Sequence, residues 1–214
     1  MSGLTHGWSS AIAPDGSAVT PSNMNAHSGV LEGASGGGLV LLEQHAASSS
    51  ATLDFTTGIS STYDEYIVDI LGLTPASNSS LYLRMGTGAG PTWDSTAAHY
   101  SYQGFVWRPG GSALSGTASA AQIVCNYDGG GDLISTGTSY YMVSGRLILT
   151  NPNPGTLRPY VQGRLVYFDT SGFRVAHEVV GAYEQSTSIT GIQFLMSSGN
   201  IASGTIRVYG IAKT

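Results

Sequence analysis

The C-terminal stretch runs Gly191-Ile192-Gln193-Phe194-Leu195-Met196, Ser197-Ser198-Gly199-Asn200, Ile201-Ala202-Ser203-Gly204 and Thr205-Ile206-Arg207-Val208-Tyr209-Gly210-Ile211. Two apolar runs flank a Ser/Gly/Asn cluster, which is the pattern of a β-hairpin. In the second run Ile206, Val208 and Gly210 fall on one face, and Thr205, Arg207 and Tyr209 on the other. A period of two marks a strand with one buried side.

The same grammar recurs upstream. Strand-like runs occupy 39–44, 51–55, 63–71, 81–85, 98–107, 123–127, 140–150, 158–169, 173–185, 191–196 and 204–212. In 63–71, Tyr66, Val68 and Ile70 share a face; in 81–85, Leu81, Leu83 and Met85 do. Clusters of Gly, Pro, Ser, Asn and Asp at 74–80, 86–94, 109–118, 129–132, 151–155 and 170–172 separate the runs as turns. Asp169-Thr170-Ser171-Gly172 is short enough to close a hairpin between 158–169 and 173–185. About ten short strands at regular spacing predict a sandwich or barrel. No fixed-period repeat points to a propeller or β-helix. The expected body is all-β, an antiparallel jelly-roll-like β-sandwich over residues 38–214.

Residues 1–37 read differently: small, polar, glycine-rich and without a period-two run. They are expected to form an N-terminal arm with one short helix. Thr20 can cap it, Pro21 fits its first position, and Gly29 can end it. A helix of two turns is not stable alone in water and needs a neighbour. The run 33–38 reads as a flexible hinge.

Composition restricts the function. Lys and Arg total 8, against 13 Asp and Glu, and the only lysine is Lys213. The arginines are scattered, at 84, 108, 146, 158, 164, 174 and 207. Binding to phosphates needs clustered cations, so nucleic acid is not an expected partner, and no basic run serves an anionic membrane. Charged residues make up 10% of the chain, so Ser, Thr, Asn, Gly and Tyr must build most of the surface. Cys125 is the only cysteine and has no intrachain disulfide partner. Residues 1–10 lack a basic start and an apolar core, and no apolar window approaches membrane-spanning length. Synthesis in a cytosol, folding without export and no membrane insertion are expected.

Catalytic and metal motifs dissolve under their structural requirements. Gly33-Ala34-Ser35-Gly36-Gly37 matches the nucleophile elbow by letter, but a strand follows where the motif needs a helix. Gly86-Thr87-Gly88-Ala89-Gly90 leads into Pro91 with no βαβ unit, so it reads as a loop. Asp128-Gly129-Gly130-Gly131-Asp132 offers two side chains where calcium takes six to eight oxygens. The histidines at 6, 27, 45, 99 and 177 have no metal-ligand spacing. His177 and Glu178, adjacent on a strand, point to opposite faces. Asn78-Ser79-Ser80 is a sequon in a turn. Asp54, Asp64, Glu65, Asp69 and Asp94 show no spacing that selects a glycosidase pair. No catalytic residue, metal or cofactor is assigned, and a glycan depolymerase is the least favoured reading.

One cluster has a second reading. Trp93, Tyr100, Tyr102 and Trp107 lie close together, with Asp94, His99 and Gln103 among them. Aromatic rings rimmed by hydrogen-bonding groups can hold sugars, and they also build cores and subunit interfaces. The first reading makes the four rings a glycan-binding surface; the second makes them core or interface.

Two stretches resemble bacteriophage virion proteins. Asp15-Gly16-Ser17-Ala18-Val19-Thr20-Pro21-Ser22-Asn23-Met24-Asn25-Ala26-His27-Ser28-Gly29-Val30 is similar to a connector near the N-terminus of phage tail-fibre and head-fibre proteins. The matching positions are Asp15, Gly16, Val19, Thr20, Met24, Asn25, Gly29 and Val30; Ser28 stands where family versions carry an acidic residue. Ala51-Thr52-Leu53-Asp54-Phe55, Tyr63-Asp64-Glu65-Tyr66 and the closing 204–211 resemble β-sandwich domains of phage fibre or structural proteins. The resemblance implies a non-enzymatic virion subunit, often a homotrimer, made in the host cytoplasm. Val19, Thr20, Met24, Asn25, Gly29 and Val30 would then attach it to capsid or tail proteins or to its own copies. A host surface glycan is the alternative partner.

Overall fold

The computed structural model describes residues 38–126, 133–136, 141–153 and 157–211. The arm positions Val19, Thr20, Met24, Asn25, Gly29 and Val30, the helix expected over 21–28, the 33–37 motif and the 128–132 loop lie outside the described residues. The chain divides between Gly37 and Gly38, and all the described residues belong to the second unit.

Among the described residues there is no helix. The strands are β1 (Leu39–Ala46), β2 (Thr52–Phe55), β3 (Glu65–Pro75), β4 (Leu81–Thr87), β5 (Thr92–Trp93), β6 (Tyr100–Arg108), β7 (Gly111–Ala120), β8 (Ile123–Val124), β9 (Val143–Thr150), β10 (Tyr160–Phe168), β11 (Arg174–Tyr183), β12 (Ile189–Met196) and β13 (Ile201–Ile211). Eight form a large sheet in the order β1-β13-β3-β9-β10-β11-β6-β7. A smaller sheet has the order β2-β12-β4-β5, with β8 also paired to β4. The pairings are antiparallel.

The strand order is that of a jelly roll. Strands β1-β13-β3-β9 form one four-stranded layer and β2-β12-β4-β8 the other, and the chain passes back and forth between them. Two insertions then widen the first layer. The segment between β4 and β8 contributes β6 and β7, and the hairpin β10–β11 fills the gap between them and β9. The Asp169 turn expected for that hairpin is present: Asp169 Oδ1 accepts from the amides of Ser171 and Phe173.

The core lies between the layers and follows the period-two faces. Tyr66, Val68 and Ile70 of β3, and Ile206 and Val208 of β13, meet Leu81, Leu83 and Met85 of β4 and Ile192 and Phe194 of β12. Burying each such side chain contributes about 1.5–3 kcal/mol. Phe55 packs edge-on against Phe194, with centroids 6.3 Å apart. The Tyr100 hydroxyl accepts from the Met85 amide at 2.9 Å and so ties the sheets together.

Two expectations are corrected. The stretch 191–211 is not a hairpin: β12 pairs with β2 and β4, whereas β13 pairs with β1 and β3. Ser197–Asn200 instead carries the chain from one sheet to the other across the rim. There Ser197 donates to the Ser80 carbonyl, and Asn200 Nδ2 to that of Ser49. An apolar–turn–apolar pattern serves a hairpin and a sheet-to-sheet link equally, because both bury one side of each run. The second correction is β7, where 109–118 reads as turn. Only Pro109 and Gly110 turn, with Gly110 at φ 93°, and Gly111–Ala120 pairs along β6 as the edge strand. Gly, Ser and Ala have low strand propensity, but a ready partner supplies the ladder that they do not favour alone.

Candidate functional site

Alternation along each strand of the large sheet sends one set of side chains into the core and the other outward. The register aligns the outward set in rows across the sheet. One row runs Arg207, Asp69, Arg146, Arg164, Glu178, Phe105 and Leu114. A row on one side runs Gln162, Val180, Gln103 and Gly116, followed by Tyr160, Ala182 and Ser101. The row on the other side includes Val166, Ala176, Trp107 and Ser112.

The central row is polar and braced. Arg146 grips Asp69 through Nε–Oδ1 at 2.6 Å and Nη2–Oδ2 at 3.0 Å, and Arg207 Nε donates to Gln44 Oε1 at 2.6 Å. Arg164 lies over the Trp107 ring at 5.3 Å, and Phe105 meets that ring edge-on at 4.4 Å. The bracing divides the face in two. On one side lies an apolar hollow of about 540 Å³, lined by Trp107, Met142, Ser144, Val166, Phe168 and Arg174. Tyr141 stacks on Phe168 at 4.5 Å, and Arg174 lies over the same ring at 5.4 Å. On the other side an open groove of about 700 Å³ is lined by Ser101, Gln103, Leu114, Thr117, Tyr160 and Val180.

The four aromatic positions read as a glycan platform are not brought together. Trp93 sits on β5, half-buried over Gly86, where an added Cβ would fall 2.5 Å from its ring. Tyr100 is fully buried, with its hydroxyl donating to the Asp94 carbonyl and accepting from Met85. Tyr102 shares that inward side and packs against the core. Trp107 alone of the four is exposed, 41%, on the opposite face of the same strand. Successive residues of one strand alternate between faces, so Tyr100 and Tyr102 lie on the core side of β6, Tyr100 fully buried and Tyr102 partly buried where it also borders the groove.

The polar neighbours noted beside those rings form a knot. Asp94 Oδ2 accepts from His99 Nδ1 at 2.6 Å and from the Tyr183 hydroxyl at 2.7 Å, and Oδ1 accepts from the Thr96 amide at 2.8 Å. Burial works to raise the carboxyl pKa, but the hydrogen bonds from His99, Tyr183 and Thr96 outweigh it and hold it at about 2. Burial, and then the bond to Asp94, push the Tyr183 phenol up. The knot closes the loop between β5 and β6, in which Ala98 adopts φ 67°. Elsewhere, burial pushes the Cys125 thiol up to about 12. Among the described residues no three or more His, Cys, Asp or Glu side chains are placed to hold a metal ion. Asp54 and Asp69 are engaged with Gln193 and Arg146.

Tyr160 and Val180 belong to no motif in the sequence. Their outward positions were legible from alternation in 158–169 and 173–185. That they face Ser101 and Gln103 depends on β11 lying between β10 and β6, and no local pattern encodes that order.

Fold and surface together define a jelly-roll β-sandwich with an enlarged sheet bearing two depressions on its outer face. No protein-family model matches the chain, and neither does any curated protein or solved structure with which it was compared.

Proposed function

We propose that the protein is a non-enzymatic structural subunit of a bacteriophage particle, a fibre, spike or decoration component. In this reading residues 1–37 attach it to capsid or tail proteins, and the β-sandwich projects as a homo-oligomer, a trimer by the resemblance of its arm. The observation that carries the reading is the apolar hollow on the outer face. Met142, Val166 and Trp107 remain exposed there, Val166 by 51%, although the core needs none of them. Contiguous apolar surface of this kind marks association. Eight strands spaced by about 4.8 Å span roughly 34 Å, and strands of this length reach about 30 Å. The hollow occupies one side of that face, and a second copy of the chain is the occupant assigned to it. Double-sheet jelly rolls recur in viral capsid and lectin domains, an analogy of fold that agrees with this reading. The sparse charge of the chain agrees too. Among the described residues no helix is long and apolar enough to cross a membrane.

Light scattering is expected to give a trimer, and Val166→Glu, which places a charge in the hollow, is expected to release monomers without loss of β content. A wild-type monomer across a wide concentration range would overturn the oligomer. Deletion of residues 1–37 is expected to abolish incorporation into particles and to leave the sandwich folded, as judged by circular dichroism. Normal incorporation of the truncated chain would refute the attachment role.

A further inference from the structure

The groove on the other side of the charged row is built from different chemistry. Its floor is two adjacent cross-strand rows: Tyr160, Ala182 and Ser101, then Val180 and Gln103. Its wall is the edge strand β7, where the register to β6 shifts between Tyr100 and Tyr102. Such a bulge turns the strand and re-aims its side chains, here Thr117 toward the trough.

We propose that this groove binds an uncharged oligosaccharide, laid along the trough with a sugar ring on Tyr160. Three properties of the lining lead there. First, apolar and polar groups alternate on a scale that suits a sugar. Tyr160 is 48% exposed and Leu114 64%, with Val180 also exposed between them. Ser101, Gln103 and Thr117 stand beside these apolar surfaces, and neighbouring floor rows are about 6.8 Å apart. A pyranose has the matching duality: C–H groups on its face, which rest on an aromatic ring, and hydroxyls on its edge, which need donors and acceptors. Second, among the described residues no ionised side chain lines the groove. The carboxylate at its end, Glu184, accepts from the Ser101 hydroxyl and is paired with Arg158. Ser101 therefore has its proton committed and its lone pairs free to accept from a sugar hydroxyl. Phosphate, sulfate or uronate would require an unpaired arginine or lysine in the lining. Third, the groove is an open trough at the sheet edge, which admits a chain ligand from either end. The inference does not depend on the particle assignment, because it uses only the groove.

The test is titration calorimetry of the full-length protein with linear hexaoses of glucose, mannose and N-acetylglucosamine, and with hexagalacturonate as the anionic counterpart. At least one neutral hexaose is expected to bind. Tyr160→Ala and Gln103→Ala are each expected to weaken it about tenfold or more, with melting temperature and circular dichroism unchanged, since both side chains are exposed. Hexagalacturonate is expected not to bind. Failure of all three neutral hexaoses to bind folded protein overturns the proposal. So does equal binding by both variants, or equal binding of the anionic hexamer. The oligomer measurement with Val166→Glu reads a different part of the face, so a failure here leaves that result standing.

Discussion

Replacing Asp94 by alanine is expected to destabilise the protein by about 3 kcal/mol, lowering the melting temperature by roughly 6–12 °C. The carboxylate accepts three hydrogen bonds, from Tyr183, His99 and the Thr96 amide. Bonds to a charged acceptor contribute about 1.5–3 kcal/mol each, and their loss is not additive. The Tyr183 hydroxyl bears most of the loss, because the residue is buried against Tyr100 and has no solvent to turn to. Thr96 and His99 are nearer the surface and recover part of their bonding from water. A double-mutant cycle with Tyr183→Phe should show coupling of about 1–2 kcal/mol. Chemical denaturation that puts Asp94→Ala within 1 kcal/mol of wild type would sink the assignment of the knot as the loop's anchor.

The same group fixes a pH dependence. Its folded pKa, about 2, lies below the ordinary 3.8. Stability from the ionised carboxylate is therefore complete above pH 3.8 and is lost as pH falls through 2. The stability gap between wild type and Asp94→Asn should narrow steadily between pH 4 and pH 2. A gap that stays constant over that range would show that the charge of Asp94 contributes nothing beyond shape.

The knot also shows where sequence reading stops. Asp94, His99 and Tyr100 were visible as neighbours, but Tyr183 is 89 positions from Asp94, and only the pairing of β11 with β6 brings it there. Alternation gave the inward faces of β3, β4 and β13 because a half-buried strand writes its burial into every second residue. The Asp169 turn was legible because one side chain supplies its own hydrogen bonds. The link from β12 to β13 was misread because burial on one side says nothing about which sheet a strand joins. Strand β7 was misread because its residues are small and its order comes from β6. For the groove and the hollow, each outward residue could be named from its own strand. What could not be named was the neighbour across the sheet, and a surface site consists of those neighbours.

The other large effect is expected at Gly104, a core-facing position in the middle of β6 and a test of packing between strands rather than of any local motif. A Cβ added there would lie 2.0 Å from His177 Nε2 and 2.6 Å from Cε1. His177 is 1% exposed, and its Nδ1–H donates to the Cys125 carbonyl at 3.0 Å. The imidazole can retreat only by giving up that bond and pressing into a filled core, and overpacking of this kind costs about 3 kcal/mol. Gly104→Ala should therefore melt well below wild type although alanine suits an extended strand no worse than glycine. His177→Ala alone should also destabilise, by leaving a cavity and an unpaired carbonyl. The two together should cost at least about 1 kcal/mol less than their sum, because the methyl then occupies space the ring has left. Strict additivity, or a Gly104→Ala loss below about 1 kcal/mol, would mean that the ring does not hold the position that excludes every side chain but hydrogen at residue 104.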